Sequence, residues 1–221
     1  MKIDILTLFP KMFEGFLSES IIKRAIEKGL LEINLVNIRD FTLLRNGQVD
    51  DTPYGGGSGM VLMCEPVVRA IESVKTNDSK VYLMSPQGQV LTDQLADTIY
   101  QSTKHLILVC GHYEGFDERI RKFVDGEISI GDYVLTGGEI PALVITDCIA
   151  RFIPGVIEEE SFKNESFKEN LLDYPVYTKP REFRGLKVPD ILLSGDHKKI
   201  DEYRKSEQLR VTKEKRPDLL K

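Results

Sequence analysis

The sequence predicts an α/β fold with a largely parallel sheet and helices on both faces. Three observations carry this. Apolar strand-like runs alternate with helical spacings from residue 3 to residue 152. Two of those runs, IDILTL (3–8) and HLILVCG (105–111), are short and mostly apolar and read as buried strands. Glycine-containing turns follow the strand-like segments, where open α/β sheets place their ligands.

Taken in order, IDILTL reads as a buried strand. Residues 19–28, ESIIKRAIEK, place Ile21, Ile22, Ala25 and Ile26 at helical spacing and end at Gly29, a residue suited to a C-terminal cap. LEINLVNI alternates and reads as a strand. Residues 45–60, RNGQVDDTPYGGGSGM, read as a long polar, glycine-rich loop. Its glycines would let backbone approach a large ligand, and Tyr54 could stack on a base. EPVVRAIESV is the second helix. VYLMSP is a short strand closing in a turn, SPQG (85–88). LTDQLADTIYQ is the third helix, with Thr92 as its N-cap. HLILVCG is a strand, DERIRKFV a short helix and EISI another strand. In EIPALVITDCIARFI, Ile145, Cys148, Ile149 and Phe152 fall at i, i+3, i+4 and i+7, the buried stripe of a helix, with Pro141 in its first turn. Arg151 falls about 110° off that stripe and is free to point elsewhere.

Beyond residue 153 the composition shifts. A polar, phenylalanine-dotted stretch leads to about 50 residues with helical spacing, few for independent stability. From Lys179 to Lys221 there are 13 Lys/Arg against 8 Asp/Glu, a local +5, while residues 1–178 hold 17 against 27, a local −10. A basic tail on an acidic body points to a polyanion contact made by one part only.

The totals set further bounds. At 41% hydrophobic and 29% charged, the chain is ordinary for a globular protein. No run approaches the roughly 18 apolar residues of a membrane span, and MKIDILTLFP reads as a strand rather than a signal peptide, so no membrane contact and a cytoplasmic location are expected. Cys64, Cys110 and Cys148 are widely spaced with no CxxC pair, which points to buried reduced thiols and to neither a zinc site nor disulfides. His105, His112 and His197 show no metal spacing.

Three turns are candidates to wall one pocket: SPQG (85–88), GHYEG (111–115) and IGDYVLTGG (130–138). Neither GxGxxG nor GxxxxGK[ST] is present, so dinucleotide and nucleoside-triphosphate fingerprints do not apply. The third turn, in ISIGDYVLTGGE (128–139), carries Asp132 and Glu139 and no lysine or arginine, and an acidic, lysine-free pocket disfavours a phosphate and suits a neutral or cationic ligand held by backbone groups. No GxSxG anchors a Ser-His-Asp reading. Among Asp117, Asp132, Glu165 and Asp173, spacing alone does not choose a base.

Taken together, MKIDILTLFPKMF, DDTPYGGGSGM, SPQG, GHYEGFDERI, EISIGDYVLTGGE, ARFIPGV, LLDYPVYTKP, LLSGDHKKI and KRPDLL follow one another in an order that resembles the bacterial tRNA (guanine-N1)-methyltransferases, of the knotted SPOUT class. The resemblance covers nearly the whole chain. It implies a trefoil-knotted sheet domain binding S-adenosylmethionine over 1–157, a flexible linker over 158–170 and a small, mainly helical tRNA-binding domain over 171–221. The general rule against knots would not have anticipated the first of these. It implies a donor pocket of Ser85, Pro86, Gly111, Tyr113, Glu114, Ile130, Gly131, Asp132, Tyr133, Val134, Leu135, Gly137 and Gly138, with no metal among the site residues. It implies a homodimer with active sites at the subunit interface. It implies tRNA as substrate, methylated at N1 of the guanosine at position 37, just 3′ of the anticodon. Whether Mg²⁺ takes part the sequence does not show.

The same resemblance implies a base in the linker and assistance from the arginine of ARFIPG. The arginine is Arg151. The family's base is an aspartate in a D-S-F stretch, and the matching position here is Glu165, in N-E-S-F. Glutamate keeps the carboxylate and adds one methylene. A second Ser-Phe pair, Ser161-Phe162, is preceded by Glu160. Asn170 stands where glycine is usual, Lys179 where arginine is usual, and Tyr203 where tryptophan is usual. Lys179 keeps its charge without bidentate phosphate geometry. Two other readings are a SPOUT methyltransferase acting on another RNA site and a silent RNA-binding relative. Intact SPQG, GHYEG and IGDYVLTGGE argue against the silent one, which would have no need of a donor pocket.

Overall fold

The computed structural model describes residues 1–158, 162 and 165–220, which fall into two compact units, Met1–Ile157 and Glu158–Lys221. Glu160, the second carboxylate before a Ser-Phe pair, lies outside the described residues.

The first unit is built on a five-stranded, wholly parallel sheet in the order β2-β1-β6-β5-β7. Its strands are β1 (Lys2–Thr7), β2 (Glu32–Asn37), β5 (Ser79–Val90), β6 (His105–Cys110) and β7 (Gly126–Ser129). β3 (Asp50–Asp51) and β4 (Val61–Leu62) form a separate antiparallel pair that ties off the glycine-rich loop. The helices are α1 (Glu14–Ser18), α2 (Ser20–Glu27), α3 (Cys64–Val74), α4 (Asp93–Ser102) and α5 (Glu139–Ala150).

Alternation along the central strands divides the core in two. Ile3, Ile5, Leu106 and Leu108 face a cluster that holds Ile22 and Ala25 of α2, Ile99 of α4 and Ile145 and Ile149 of α5. Leu6, Ile107 and Val109 face the other cluster, with Val67, Ala70 and Ile71 of α3. Helices therefore cover both faces, and the central strands are apolar on both sides as the sequence required. The cap readings hold as well. The Thr92 hydroxyl accepts from Leu95 N at 3.1 Å, and Gly29 takes a left-handed φ of 68° past the end of α2.

Three local expectations are corrected. SPQG does not close the strand: β5 runs to Val90, and the ladder to β7 shifts register between Met84 and Gln89, both of which pair with Ile128. Residues 85–88 are thus a bulge. Pro86 has no N–H to give the ladder, and Gly88 passes so close to the Glu127–Ile128 peptide that a Cβ there would collide with backbone. DERIRKFV forms a 3-10 helix over Glu118–Phe123 rather than an α-helix. Of the three cysteines only Cys110 is fully buried; Cys64 and Cys148 are partly covered.

The second unit holds a two-residue hairpin of β8 (Glu182–Phe183) and β9 (Leu186–Lys187), a long helix α6 (His197–Lys215) and short 3-10 turns. Asp196 caps α6, its carboxylate accepting from Lys199 N at 3.2 Å. Leu172 N donates to Thr212 Oγ1 of α6 at 2.9 Å, so the chain entering this unit is pinned to its helix. Among the described residues no helix is long and apolar enough to cross a membrane.

Candidate active site

A cavity of about 380 Å³ opens at the C-terminal ends of β5, β6 and β7, within the first unit. Its walls are the β5 bulge, the turn after β6 and the long turn between β7 and α5. These are the three turns singled out in the sequence, brought together by the parallel sheet.

The turn after β6 is held from two sides. Gly138 N donates to Gly111 O at 2.7 Å, and His112 bridges Gly137 in antiparallel fashion. A Cβ on Gly138 would stand 2.6 Å from Gly111 N and 2.7 Å from Cys110 Cα, so glycine is what allows the two turns to touch. On the other side, Glu114 N donates to Met60 O at 2.9 Å, Leu62 N to Gly115 O at 2.9 Å and Asp117 N to Leu62 O at 3.0 Å. These bonds hold Tyr113 at a φ of 59°, a strained position for a bulky residue. They also seat the end of the glycine-rich loop beside the cavity: a Cβ on Gly59 would meet the Glu114 carboxylate at 2.5 Å.

The turn after β7 closes on itself. The Ser129 hydroxyl donates to Gly131 O at 3.0 Å, and the Tyr133 hydroxyl donates to Ile130 O at 3.1 Å, laying its ring against Gly131. Gly131 adopts φ 149°, a conformation strained for any side chain. In the β5 bulge, the Ser85 hydroxyl accepts from Gln87 N at 3.1 Å.

Behind the Gly137–Gly138 turn sits Glu139, 2% exposed and the first residue of α5. The Thr7 hydroxyl, at the end of β1, donates to Glu139 Oε1 at 2.8 Å and accepts from Phe9 N at 2.9 Å. A carboxylate at a helix N-terminus lies along the favourable end of the macrodipole. Burial, and next the Glu139 charge, push the Cys110 thiol well above its ordinary range.

The charge of the wall needs correction. Glu114 and Glu118 line it, but so does Arg121, delivered by the 3-10 helix. Arg121 Nε donates to Glu127 Oε1 at 2.7 Å and Nη2 to Gln87 Oε1 at 3.1 Å, and Nη1 pairs with Glu118. The bond to Glu127 raises its pKa further. The cation is committed to carboxylates, and the wall remains acidic on balance.

All the pocket residues expected from sequence line this cavity except Asp132, which is exposed on the β7–α5 turn. Gln87, His112 and Thr136 also line it, within turns singled out though not named residue by residue, and sequence reasoning missed Phe116, Glu118 and Arg121. His112 packs against the rings of Phe9 and Tyr113, and its Nδ1 is buried with no hydrogen-bond partner among the described residues. His105 starts β6, at the opposite end of the strands from the cavity. Its Nε2 stands 2.5 Å from Asp4 Oδ2 and its Nδ1 2.8 Å from Ser79 Oγ, a Ser-His-Asp chain in which the serine oxygen also accepts from Thr76 N. It joins strand starts and borders no cavity described here.

Arg151 follows directly on α5 as its C-cap and is half-buried in the first unit. Glu165 is half-buried in the second, with its carbonyl accepting from Lys168 N at 3.3 Å. Nearby, Asp173 N donates to Ser166 Oγ at 3.0 Å and Asp173 Oδ1 accepts from Tyr174 N at 2.7 Å. Among the described residues no group of three His, Cys, Asp or Glu side chains is arranged to hold a metal ion.

The family profile described as tRNA (Guanine-1)-methyltransferase TrmD matches residues 1–221. Relatives named tRNA (guanine-N(1)-)-methyltransferase include one from Mycoplasma capricolum, 55% identical over 220 residues, covering 100% of this chain and 92% of the relative. Another from Carboxydothermus hydrogenoformans is 57% identical over 223 residues, covering 100% and 88%. A third from Clostridioides difficile is 52% identical over 227 residues, covering 100% and 98%.

Proposed function

Because the chain belongs to the tRNA (guanine-1)-methyltransferase family, we propose that it transfers a methyl group from S-adenosylmethionine to N1 of the guanosine at position 37 of tRNA, just 3′ of the anticodon. The observation that carries the reading is the family match over the whole chain, with relatives above half identity named tRNA (guanine-N(1)-)-methyltransferase.

The cavity suits the donor. About 380 Å³ lies in the range of small-molecule sites, its walls mix polar and apolar groups, and beside the Arg121–Glu118 pair it presents the Glu114 carboxylate. Glu114 and the backbone of residues 130–138 would hold a cationic nucleoside there. When bound, that group supplies an already activated methyl on a sulfonium. The chain must then supply a proton acceptor and charge stabilisation. N1 of guanine carries a proton and negative charge grows toward O6 as the methyl arrives. We assign Glu165 to take the N1 proton and Arg151 to face O6. Positioning of the two reactants contributes the rest.

The domain roles, the assembly and the location follow from the same reading. Residues 1–157 form the knotted donor-binding domain of the SPOUT class, 158–170 the flexible linker and 171–221 the tRNA-binding domain. The protein works in the cytoplasm as a homodimer whose active sites lie at the subunit interface. α5 supports this: it buries Ile145 and Ile149 on one face and leaves Ile140 and Val144, one turn apart, exposed on another.

Equilibrium titration with S-adenosylmethionine tests the pocket, and methyl incorporation into an unmodified tRNA transcript tests the reaction. Failure of the intact chain to bind the donor, or to label the transcript, overturns the reading.

A further inference from the structure

β8 and β9 are joined by a two-residue turn, Arg184–Gly185, with φ of 52° and 82°. Both central residues are left-handed, as the tight hairpin turns that match strand twist demand. The register sets Phe183 opposite Leu186 and Glu182 opposite Lys187, and Val188 N donates to Arg181 O at 2.9 Å. Side chains alternate along each strand, so Phe183 and Leu186 share one face and Glu182 and Lys187 the other. The polar face is paired within itself, Lys187 Nζ standing 3.7 Å from Glu182 Oε2. The apolar face is open: Phe183 is 59% and Leu186 76% exposed. A two-stranded ribbon ordinarily gains its stability by burying such a face.

The surroundings of this face decide its partner. Between residues 179 and 188 stand Lys179, Arg181, Arg184 and Lys187 against the single acid Glu182. The Arg184 guanidinium lies 5.2 Å from the Phe183 ring centre. Protein-docking patches lose charged residues at their core. An aromatic ring edged by a guanidinium group in a basic stretch instead matches the surface on which unpaired bases stack while their phosphates are held.

We propose that the hairpin 181–188 docks on the tRNA substrate, with Phe183, backed by Leu186, stacking on an unpaired base, and Arg181 and Arg184 contacting adjacent phosphates. The inference rests on the reading of the chain as a tRNA methyltransferase and adds a place and a mode to its RNA contact.

Four full-length proteins test it: wild type, Phe183→Ala, Phe183→Trp and Arg184→Ala. Each is measured for tRNA affinity across a salt series, for donor affinity, for single-turnover rate at saturating tRNA and for sedimentation. Phe183→Ala is expected to weaken tRNA binding about 5- to 100-fold, the range for one lost stacked base, with an unchanged salt slope. Phe183→Trp is expected to bind within about twofold of wild type. Arg184→Ala is expected to lower the salt slope by about one. Donor affinity stays the same in all four. Wild-type tRNA affinity in Phe183→Ala, or equal losses in Phe183→Ala and Phe183→Trp, overturns the stacking proposal while leaving the methyltransferase reading intact. A shift of Phe183→Ala toward a smaller sedimenting species overturns it in favour of a subunit contact. A wild type that binds donor but neither binds nor methylates tRNA overturns the underlying reading instead.

Discussion

Replacing Gly138 with alanine isolates the contact that joins two walls of the cavity. Gly138 has φ −82° and ψ −5°, a negative-φ backbone open to alanine, so no left-handed strain enters. All of the effect comes from the new methyl group. It would lie 2.6 Å from Gly111 N, 2.7 Å from Cys110 Cα and 3.0 Å from Cys110 C, all backbone atoms at the end of a fully buried strand. Relief to an ordinary contact near 3.4 Å needs a separation of about 0.8 Å, which the 2.7 Å bond from Gly138 N to Gly111 O does not survive intact. Overpacking of this kind costs about 1–3 kcal/mol. A weakened backbone hydrogen bond adds about 1 kcal/mol. At about 2–4 °C per kcal/mol for a chain of this size, the melting temperature should fall by roughly 5–15 °C. The affinity for S-adenosylmethionine should fall at least about tenfold, because both glycines of the displaced turn line the cavity. Thermal denaturation and donor titration read the two effects. Gly15→Ala is the control: nothing lies within 4 Å of its Cβ and it sits in α1, so it should be neutral or slightly stabilising. A Gly138→Ala protein that melts within about 2 °C of wild type and binds donor normally would refute the close-approach argument.

Other consequences are open to direct measurement. Thr7→Val removes the donor to the buried Glu139 carboxylate and should cost about 1.5–3 kcal/mol in urea denaturation, with Thr7→Ser restoring most of it. Cys110, its thiol pushed up by burial, should resist alkylation at pH 8 in the native protein and react once the chain is unfolded. A raised folded pKa means that its contribution is fully present below the unfolded thiol value of about 8.5 and is lost as pH rises above it. The fall in urea midpoint between pH 7.5 and 9.5 should therefore be shallower in Cys110→Ala. Glu165→Gln should slow single-turnover methyl transfer at least about a hundredfold with tRNA binding unchanged. A near-normal rate would move the base to another carboxylate, such as Asp173.

Periodicity carried the sheet domain well, because its strands and helices bury residues at spacings a local reading detects. Ile145 and Ile149 on α5, and the unbroken apolar run of β6, are cases in point. Long-range geometry was not legible in the same way. Pro86 signalled a break in the ladder, but only the pairing of both Met84 and Gln89 with Ile128 reveals a bulge rather than an end. Glu139 reads locally as a helix-start carboxylate. Its burial depends on Thr7, 132 residues away. Arg121 was invisible as a wall residue because 3-10 spacing re-aims its side chain relative to the α-helix that the sequence implied. Asp132 stood among glycines that do line the cavity, but the Gly131 backbone turns it outward into solvent. His112 lay inside a motif already singled out and was passed over because a lone histidine without metal spacing says nothing about what its ring will face.

The most direct test digests the tRNA product to nucleosides. After incubation of the purified chain with S-adenosylmethionine and an unmodified transcript carrying guanosine 3′ of the anticodon, mass spectrometry and fragment mapping should find 1-methylguanosine at that position alone. A matched transcript with adenosine there should yield none. Methylation at another atom or site, equal labelling of both transcripts, or no product from either would contradict the account.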